Sequence, residues 1–317
     1  MLPALAPASR PFDVVGLGEA SLDLVVTLGA FPVPDGKMSA RGQCRLPGGQ
    51  VATAIRAAAR LGWRAAFVGA VGDDDDGRLV LAALAEDGVD VSGARRAGGV
   101  ATRSAIILVD VAGGTRSVIE HRDPRLNLPE GAVPAGVLQG ARILLADGTD
   151  PAASVAAAHL ARHADVRVVV DVDEGAGEVT ALLDLADVVI ASDGFVRTAG
   201  AGSVDAGLVA LADRYRNAAA VCVTIGRHGS RALAAGRDVS VPAFPVSCVD
   251  STGAGDVFRA GFMAAWLTSP SGADVHGVLR YANAAAALSC RAVGAQGGLP
   301  TAPEVRALLD SVGGVTG

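Results

Sequence analysis

Lysine is almost missing from this chain of 317 residues: Lys37 is the single example, and arginine supplies the rest of the positive charge. The bias reads as codon preference, but it has one consequence. No G-x-x-x-x-G-K-[ST] loop surrounds that lysine, so a P-loop nucleotide site is excluded. Aromatic residues make up only 3%, and the core must therefore be built from Ala, Val and Leu. The four cysteines (Cys44, Cys222, Cys248 and Cys290) form no C-x-x-C pair and have no histidine at ligand spacing. A structural zinc is set aside, and the thiols read as free ones in a reducing compartment, the cytoplasm. No apolar run approaches the ~20 residues a membrane span needs. The N-terminal stretch, broken by three prolines before Asp13 and without a charged segment, does not read as a signal peptide. A formal charge of −6 offers no basic field to nucleic acid or an anionic membrane.

What is present is an alternation. Short Val-rich runs at Asp13–Gly18, Ala65–Val71, Arg142–Ala146, Val166–Val172, Asp187–Ile190 and Ala219–Thr224 predict buried strands. Ala-rich stretches of helical period lie between them at Val51–Leu61, Leu79–Asp87, Ala152–His163 and Asp205–Arg216. Strand–helix alternation predicts an α/β fold, a three-layer sandwich whose mostly parallel central sheet is flanked by helices. Two stretches break the rhythm by alternating apolar and polar residues: Gly36–Leu46, and Ala101–Glu120 with a Gly113–Gly114 turn. They read as exposed antiparallel strands, either a small lid over the carboxyl ends of the sheet or a plain sheet extension. The expectation is one domain over 1–317, with lid strands inserted at about 33–47 and 98–122.

The chemistry concentrates in Val239–Leu267. An alternating strand ends at Val249 and runs into Asp250-Ser251-Thr252-Gly253-Ala254-Gly255-Asp256, after which Phe258, Phe262 and Trp266 mark one face of a helix that Pro270 stops. The glycines remove side chains where strand turns to helix, so the amides of Gly253 to Asp256 point outward as an anion site made of backbone. Phosphoryl transfer needs charge neutralisation and a base for the incoming hydroxyl, and Asp256 is placed to be that base. A tight turn with Asp256 as a mere cap would explain a lone G-x-G; it does not explain the whole motif.

That motif resembles the D-T-x-G-A-G-D signature of the ribokinase-like (PfkB) carbohydrate kinases. Further segments resemble the family in its own order: Gly16 to Asp23, Pro47-Gly48-Gly49-Gln50, Val71-Gly72-Asp73, Thr224-Ile225-Gly226-Arg227-His228-Gly229 and Tyr281-Ala282-Asn283. The resemblance implies ATP-dependent phosphorylation of a hydroxyl on a small sugar or sugar-like substrate. Asp256 would act as general base, with the amides of Gly253, Ala254 and Gly255 as anion hole. Asp23, Gly48, Gly49, Thr53 and Asp147 would bind the substrate. Asp147 reads equally as a cap over Thr149 before Pro151. Ser192, Thr224, Gly226, Gly229 and Asn283 would line the nucleotide. Mg²⁺ would arrive with ATP, K⁺ would sit at Asp250 and Thr252, and a homodimer would form through the lid.

The segment also departs from that family's pattern. Ser192 and Phe195 stand where relatives carry the Asn and Glu of N-x-x-E, and Asp193 is the candidate replacement carboxylate. Thr53 and Gln50 replace a sugar-binding Asn and a Lys, and Arg259 is larger than the residue usual there. These features place the chain nearer the ketohexokinase and sulfofructose kinase branch. They also motivate the rival reading of a catalytically silent sugar- or nucleotide-binding sensor. A dinucleotide enzyme is disfavoured, because Ser21 occupies the third glycine position after Gly16-Leu17-Gly18. Asp73–Asp76 reads as a solvated loop, His159 and His163 as surface residues, and Arg122 as an exposed loop arginine or a ligand for an anionic substrate group.

Overall fold

The computed structural model describes residues 1–110, 115–173 and 179–313. The Gly113–Gly114 turn lies outside the described residues. The first half of the chain runs β1 (Val14–Leu17), β2 (Ser21–Leu28), β3 (Gly42–Gly48), α1 (Gln50–Arg60), β4 (Ala65–Val68), β5 (Ala70–Gly72), α2 (Asp75–Glu86), β6 (Arg95–Ala97), β7 (Ser104–Asp110) and β8 (Thr115–His121). The second half runs α3 (Ala135–Gln139), β9 (Ile143–Ala146), α4 (Pro151–His163), β10 (Arg167–Val172), α5 (Thr180–Leu183), β11 (Val188–Ser192), α6 (Asp193–Ala199), α7 (Val204–Arg214), β12 (Ala220–Thr224), β13 (Ser230–Ala234), β14 (Arg237–Val241), α8 (Ala254–Thr268), α9 (Val275–Ser289) and α10 (Ala302–Gly313).

The central sheet has the order β14-β13-β12-β11-β10-β9-β1-β4, parallel from β12 to β4 and antiparallel at β13 and β14. Its strands are apolar on both faces because helices cover both. The two-residue period of a strand sorts their side chains. Ile143, Val169, Val188, Ile190 and Cys222 pack with α1, α8 and α9, through Ile55, Phe258, Phe262 and Leu279. Leu144, Val168, Val170, Val189 and Val221 pack on the other face with Ala157, Leu182 and Leu208 of α4, α5 and α7. The sheet is therefore the middle layer of three. Among the described residues, no helix is long and apolar enough to cross a membrane.

A second sheet, β3-β2-β7-β8, stands beside the carboxyl ends of the first. It corrects the sequence reading in three places. The segment matched in the sequence stops at Asp23, whereas Ser21–Leu28 is a full strand that pairs with both β3 and β7. The early lid strand begins at Gly42 rather than in the 33–41 stretch. The run Ala65–Val71 divides at Gly69, where a Cβ would stand 2.5 Å from the Gly18 carbonyl oxygen; β4 stays in the main sheet and β5 pairs with β6. Asp73–Asp76 is also not a free loop. Asp74 caps α2 by accepting from the Gly77 amide at 2.8 Å and binds Thr102 at 2.6 Å, and Asp76 pairs with Arg45 at 2.5 Å.

Candidate active site

Parallel strands that all point the same way deliver their carboxyl ends to one edge of the sheet, and ligands bind outside that edge. Gly18, Asp147, Asp171, Ser192 and Thr224 all stand at or just beyond those ends. Helix α8 approaches the same edge, and Gly253 at its N-cap has φ 77°, a left-handed conformation that costs glycine little. A Cβ at Gly253 would also sit 2.6 Å from the Ala295 carbonyl oxygen. Past this corner the amides of Gly253, Gly255 and Asp256 donate to none of the described residues, while Ala254 turns its amide to the Ser251 carbonyl at 3.2 Å. Three of the four expected donors are thus wholly free, and the Ala254 amide is partly engaged.

Asp256 follows in the first turn, with its carboxylate close to fully buried. Burial pushes its pKa well above the usual carboxylate range. The Arg259 and Arg116 guanidiniums pull it back, and Asp171 and Asp173 push it further up. Arg116, on β8, donates from Nη1 to Ser251 Oγ at 3.0 Å, so the second sheet reaches across to the turn before α8.

Asp250 braces that turn. Its Oδ1 accepts from the amide and hydroxyl of Thr252 at 2.9 and 2.7 Å, and its Oδ2 from the Gly294 amide at 2.8 Å. Three of a carboxylate's roughly four acceptor positions are then filled, leaving one. Among the described residues, no three His, Cys, Asp or Glu side chains gather as a metal site. His163 turns its Nδ1 to the His159 carbonyl.

On the other side of Asp256 lie the candidate substrate residues. Asp23 is buried on β2, and Gly48 on β3, paired with Ser21, has no room for a Cβ, which would fall 2.0 Å from Asp23 Oδ2. Asp147 accepts from the Glu19 amide at 2.8 Å and the Thr149 amide at 2.9 Å, so it ties the β1–β2 turn to the end of β9; it is not the helix cap the sequence also allowed, because the N-cap of α4 is Asp150. Burial raises the pKa of both Asp23 and Asp147. Gly49 is the N-cap of α1, whose Gln50 donates to Asp173 at 2.5 Å. Thr53 is wholly buried, with its hydroxyl accepting from Gln296 at 3.3 Å.

The nucleotide candidates line the far end of the same edge. Thr224 pairs in register with Ser192, and Gly226 and Gly229 bound the short turn that follows. Ser192 caps α6 through the Phe195 amide at 3.3 Å, and Asp193 lies 3.5 Å from Arg197 on an exposed helix turn. Asn283 is buried and donates to the Val241 and Pro242 carbonyls at 3.0 and 3.1 Å, tying α9 to the end of β14.

Several charged residues at this edge were given no role by the sequence. Arg103 is buried between Glu19 at 2.6 Å, Glu120 at 2.5 Å and Asp23 at 3.9 Å. Burial lifts Glu19 to about 7 even though Arg103 pulls it down. Asp171 faces α8 from β10 and ion-pairs with Arg259, which also lies 3.5 Å from Asp173 and 3.8 Å from Asp256. The available cue was an acid inside the apolar run Arg167–Val172, at a parity where the neighbouring strand has Ile190. Arg122 is neither a free loop arginine nor an anion ligand: it is held by buried Asp150 at 2.8 Å and by Asn127.

This edge brings an N-terminal amide cluster beside a buried carboxylate, an arrangement of the kind phosphoryl transfer requires. The pfkB carbohydrate kinase family matches residues 12–302, so the chain belongs to that family and is a phosphotransferase acting on an alcohol group. It is 30% identical to ribokinase of Bacillus subtilis, over 94% of this chain and 99% of that protein. It is 32% identical to the ATP-dependent ribose-1-phosphate kinase of Halopiger xanaduensis, over 93% and 97%. Among solved structures, a putative ribokinase from Agrobacterium tumefaciens superposes with TM-score 0.86 at 27% identity, covering 95% of this chain and 99% of that one. Ribokinase of Arabidopsis thaliana, solved with ribose and ATP, superposes with TM-score 0.79 at 26% identity, covering 94% and 98%.

Proposed function

We propose that the chain transfers the γ-phosphoryl group of ATP to a hydroxyl of a neutral, unphosphorylated sugar. Asp256 takes the hydroxyl proton, and the amides of Gly253, Gly255 and Asp256, with Ala254 beside them, hold the migrating phosphoryl group. A carboxylate whose pKa burial has raised is a better proton acceptor near neutrality than an ordinary one, and a general base of this kind contributes roughly 10²–10⁴-fold. Each aimed amide adds about 3–4 kcal/mol of stabilisation as charge develops. Thr224, Gly226 and Gly229 line the nucleotide end. Ser192 and Asn283 act there by fixing α6 and the end of β14. Mg²⁺ arrives with ATP and is held through phosphate oxygens and water. The remaining acceptor position on Asp250, beside Thr252, suits K⁺. The setting is the cytoplasm, and the outward-facing Ile106, Val118 and Ile119 of the second sheet are the surface for a second copy of the chain.

Charge carries the choice of a neutral sugar. Glu19, Asp23, Glu120, Asp147 and Asp150 crowd the substrate side, and both nearby cations are already held, Arg103 by three of these acids and Arg122 by Asp150. On that side a phosphate or sulfonate on the substrate would meet carboxylates whose guanidinium partners are already paired, while Arg116 stands across at the turn before α8. Polyol hydroxyls donate hydrogen bonds and suit such a surface. The test is ADP release with ribose, fructose and ribose 1-phosphate, each with and without K⁺. Turnover with a free sugar at a kcat/KM at least tenfold above the phosphorylated one is expected. Preference for the sugar phosphate would overturn the neutral-substrate assignment, and no turnover with any sugar would leave only the sensor.

A further inference from the structure

Arg259 is 1% exposed on α8, one turn after the base. Its guanidinium ion-pairs with Asp171, lies 3.5 Å from Asp173 and reaches back to within 3.8 Å of Asp256. The reach depends on Gly255, where a Cβ would fall 2.5 Å from Arg259 Nη1. Asp171 is equally buried, because strand parity turns it toward α8 where the same position on β11 carries Ile190. A buried ion pair is costly to desolvate and is seldom favoured over an apolar pair for stability alone. This pair stands directly behind the proposed base.

We propose that Arg259 is a positioning residue that keeps the Asp256 carboxylate ionised and aimed at the acceptor hydroxyl, with Asp171 metering how much of the arginine's charge the base receives. This rests on the reading of Asp256 as base. The charged groups facing Asp256 are Arg259 on its own helix, Asp171 and Asp173 from β10 and the residue just after it, and Arg116 from β8. Burial works against the ionised form of Asp256, and a protonated carboxyl accepts no proton. Arg259 opposes that; although burial disfavours its own charge, the three carboxylates together hold it above the ordinary arginine value. Asp171 competes for the same guanidinium, and burial lifts Asp171 to about 8 against the pull of Arg259. The two residues therefore act on the base with opposite sign.

The experiment follows the Asp256 carboxyl by ¹³C NMR, assigned by its loss in Asp256→Asn, together with the pH profile of kcat. Arg259→Gln is expected to raise the pH at which Asp256 titrates by one unit or more, a tenfold fall in ionised fraction on the acid side. Arg259→Lys should restore most of the shift, and Asp171→Asn should move the titration downward. If Arg259→Gln fails to fold, the lysine and Asp171→Asn variants still read the two signs. An Asp256 titration that stays put in every variant, or a kcat loss equal at all pH values, would overturn the proposal. Because the NMR signal needs no turnover, absence of kinase activity would count against the functional reading and leave the role of Arg259 decided separately.

Discussion

Two clusters of aspartate and arginine lie at opposite ends of the same sheet, and their stoichiometry is reversed. At the amino end, Asp13, Arg64 and Arg142 each immediately precede a strand, β1, β4 and β9, which are neighbours in the sheet. One carboxylate lies between two guanidiniums there, at 2.9 Å from Arg64 and 3.1 Å from Arg142. At the carboxyl end, one guanidinium, Arg259, serves three carboxylates. Burial pushes Asp13, Asp171 and Asp256 upward. At the amino end the hydrogen bonds from Arg64 and Arg142 outweigh it and Asp13 falls below its ordinary value; at the carboxyl end Asp171 and Asp256 stay above theirs. An acid with a surplus of cations is a permanent anion and serves as a fastener. An acid short of cations remains able to take up a proton, which a catalytic base requires.

The largest way to break this comparison is Asp13→Ala. It leaves Arg142, almost wholly buried, without its carboxylate, and removing one partner of a buried pair costs about 3–5 kcal/mol. Urea denaturation should show that loss while kcat of the folded fraction stays unchanged; a smaller kcat would mean the two ends are coupled. At the other end Asp256→Asn should do the reverse. Stability should hold or rise, because a buried and strained charge is removed, while kcat falls by roughly 10²-fold or more and ATP binding persists. Near-normal turnover by the Asn variant would show that another group takes the proton.

The two ends were not equally legible. The parallel sheet could be read because each strand is a short apolar run bounded by turn residues. The turn before α8 could be read because only backbone donors, glycines and one acid are needed there, and all are contiguous. The Arg103 cluster could not. Glu19 comes from the β1–β2 turn, Arg103 from just before β7 and Glu120 from β8, so nothing local announces that they meet. Arg259 stood out by its size, but its partner Asp171 lies on a distant strand, and only the register of β10 against β11 shows that it faces α8. Ser21–Leu28 was missed as a strand for a related reason. It begins almost directly after β1, and it forms its own sheet through partners at 42–48 and 104–110. The sequence names Ser192 and Asn283 for the nucleotide, but local pattern could not show that their side chains fasten backbone rather than stand free.

The smallest effect is also the most discriminating, because it concerns the sign of a slope. Asp13 has its pKa lowered in the folded chain, so the unfolded chain binds more protons in the acid range. Its contribution is present above the unfolded value of 3.8 and is lost as pH falls through the folded one. Glu19 behaves oppositely. Its folded pKa is raised from 4.5 to about 7, so its contribution is complete below 4.5 and is lost as pH rises through about 7. Between those values Glu19 should make stability decline with pH, by no more than about 1.4 kcal/mol per unit for a single proton. Glu19→Gln should flatten urea-derived stability across that window, and Asp13→Asn should flatten it only in acid. If Glu19→Gln leaves the slope near pH 6 untouched, Arg103 holds Glu19 ionised as firmly as its two arginines hold Asp13, and the substrate end of the sheet is a fastener like the amino end.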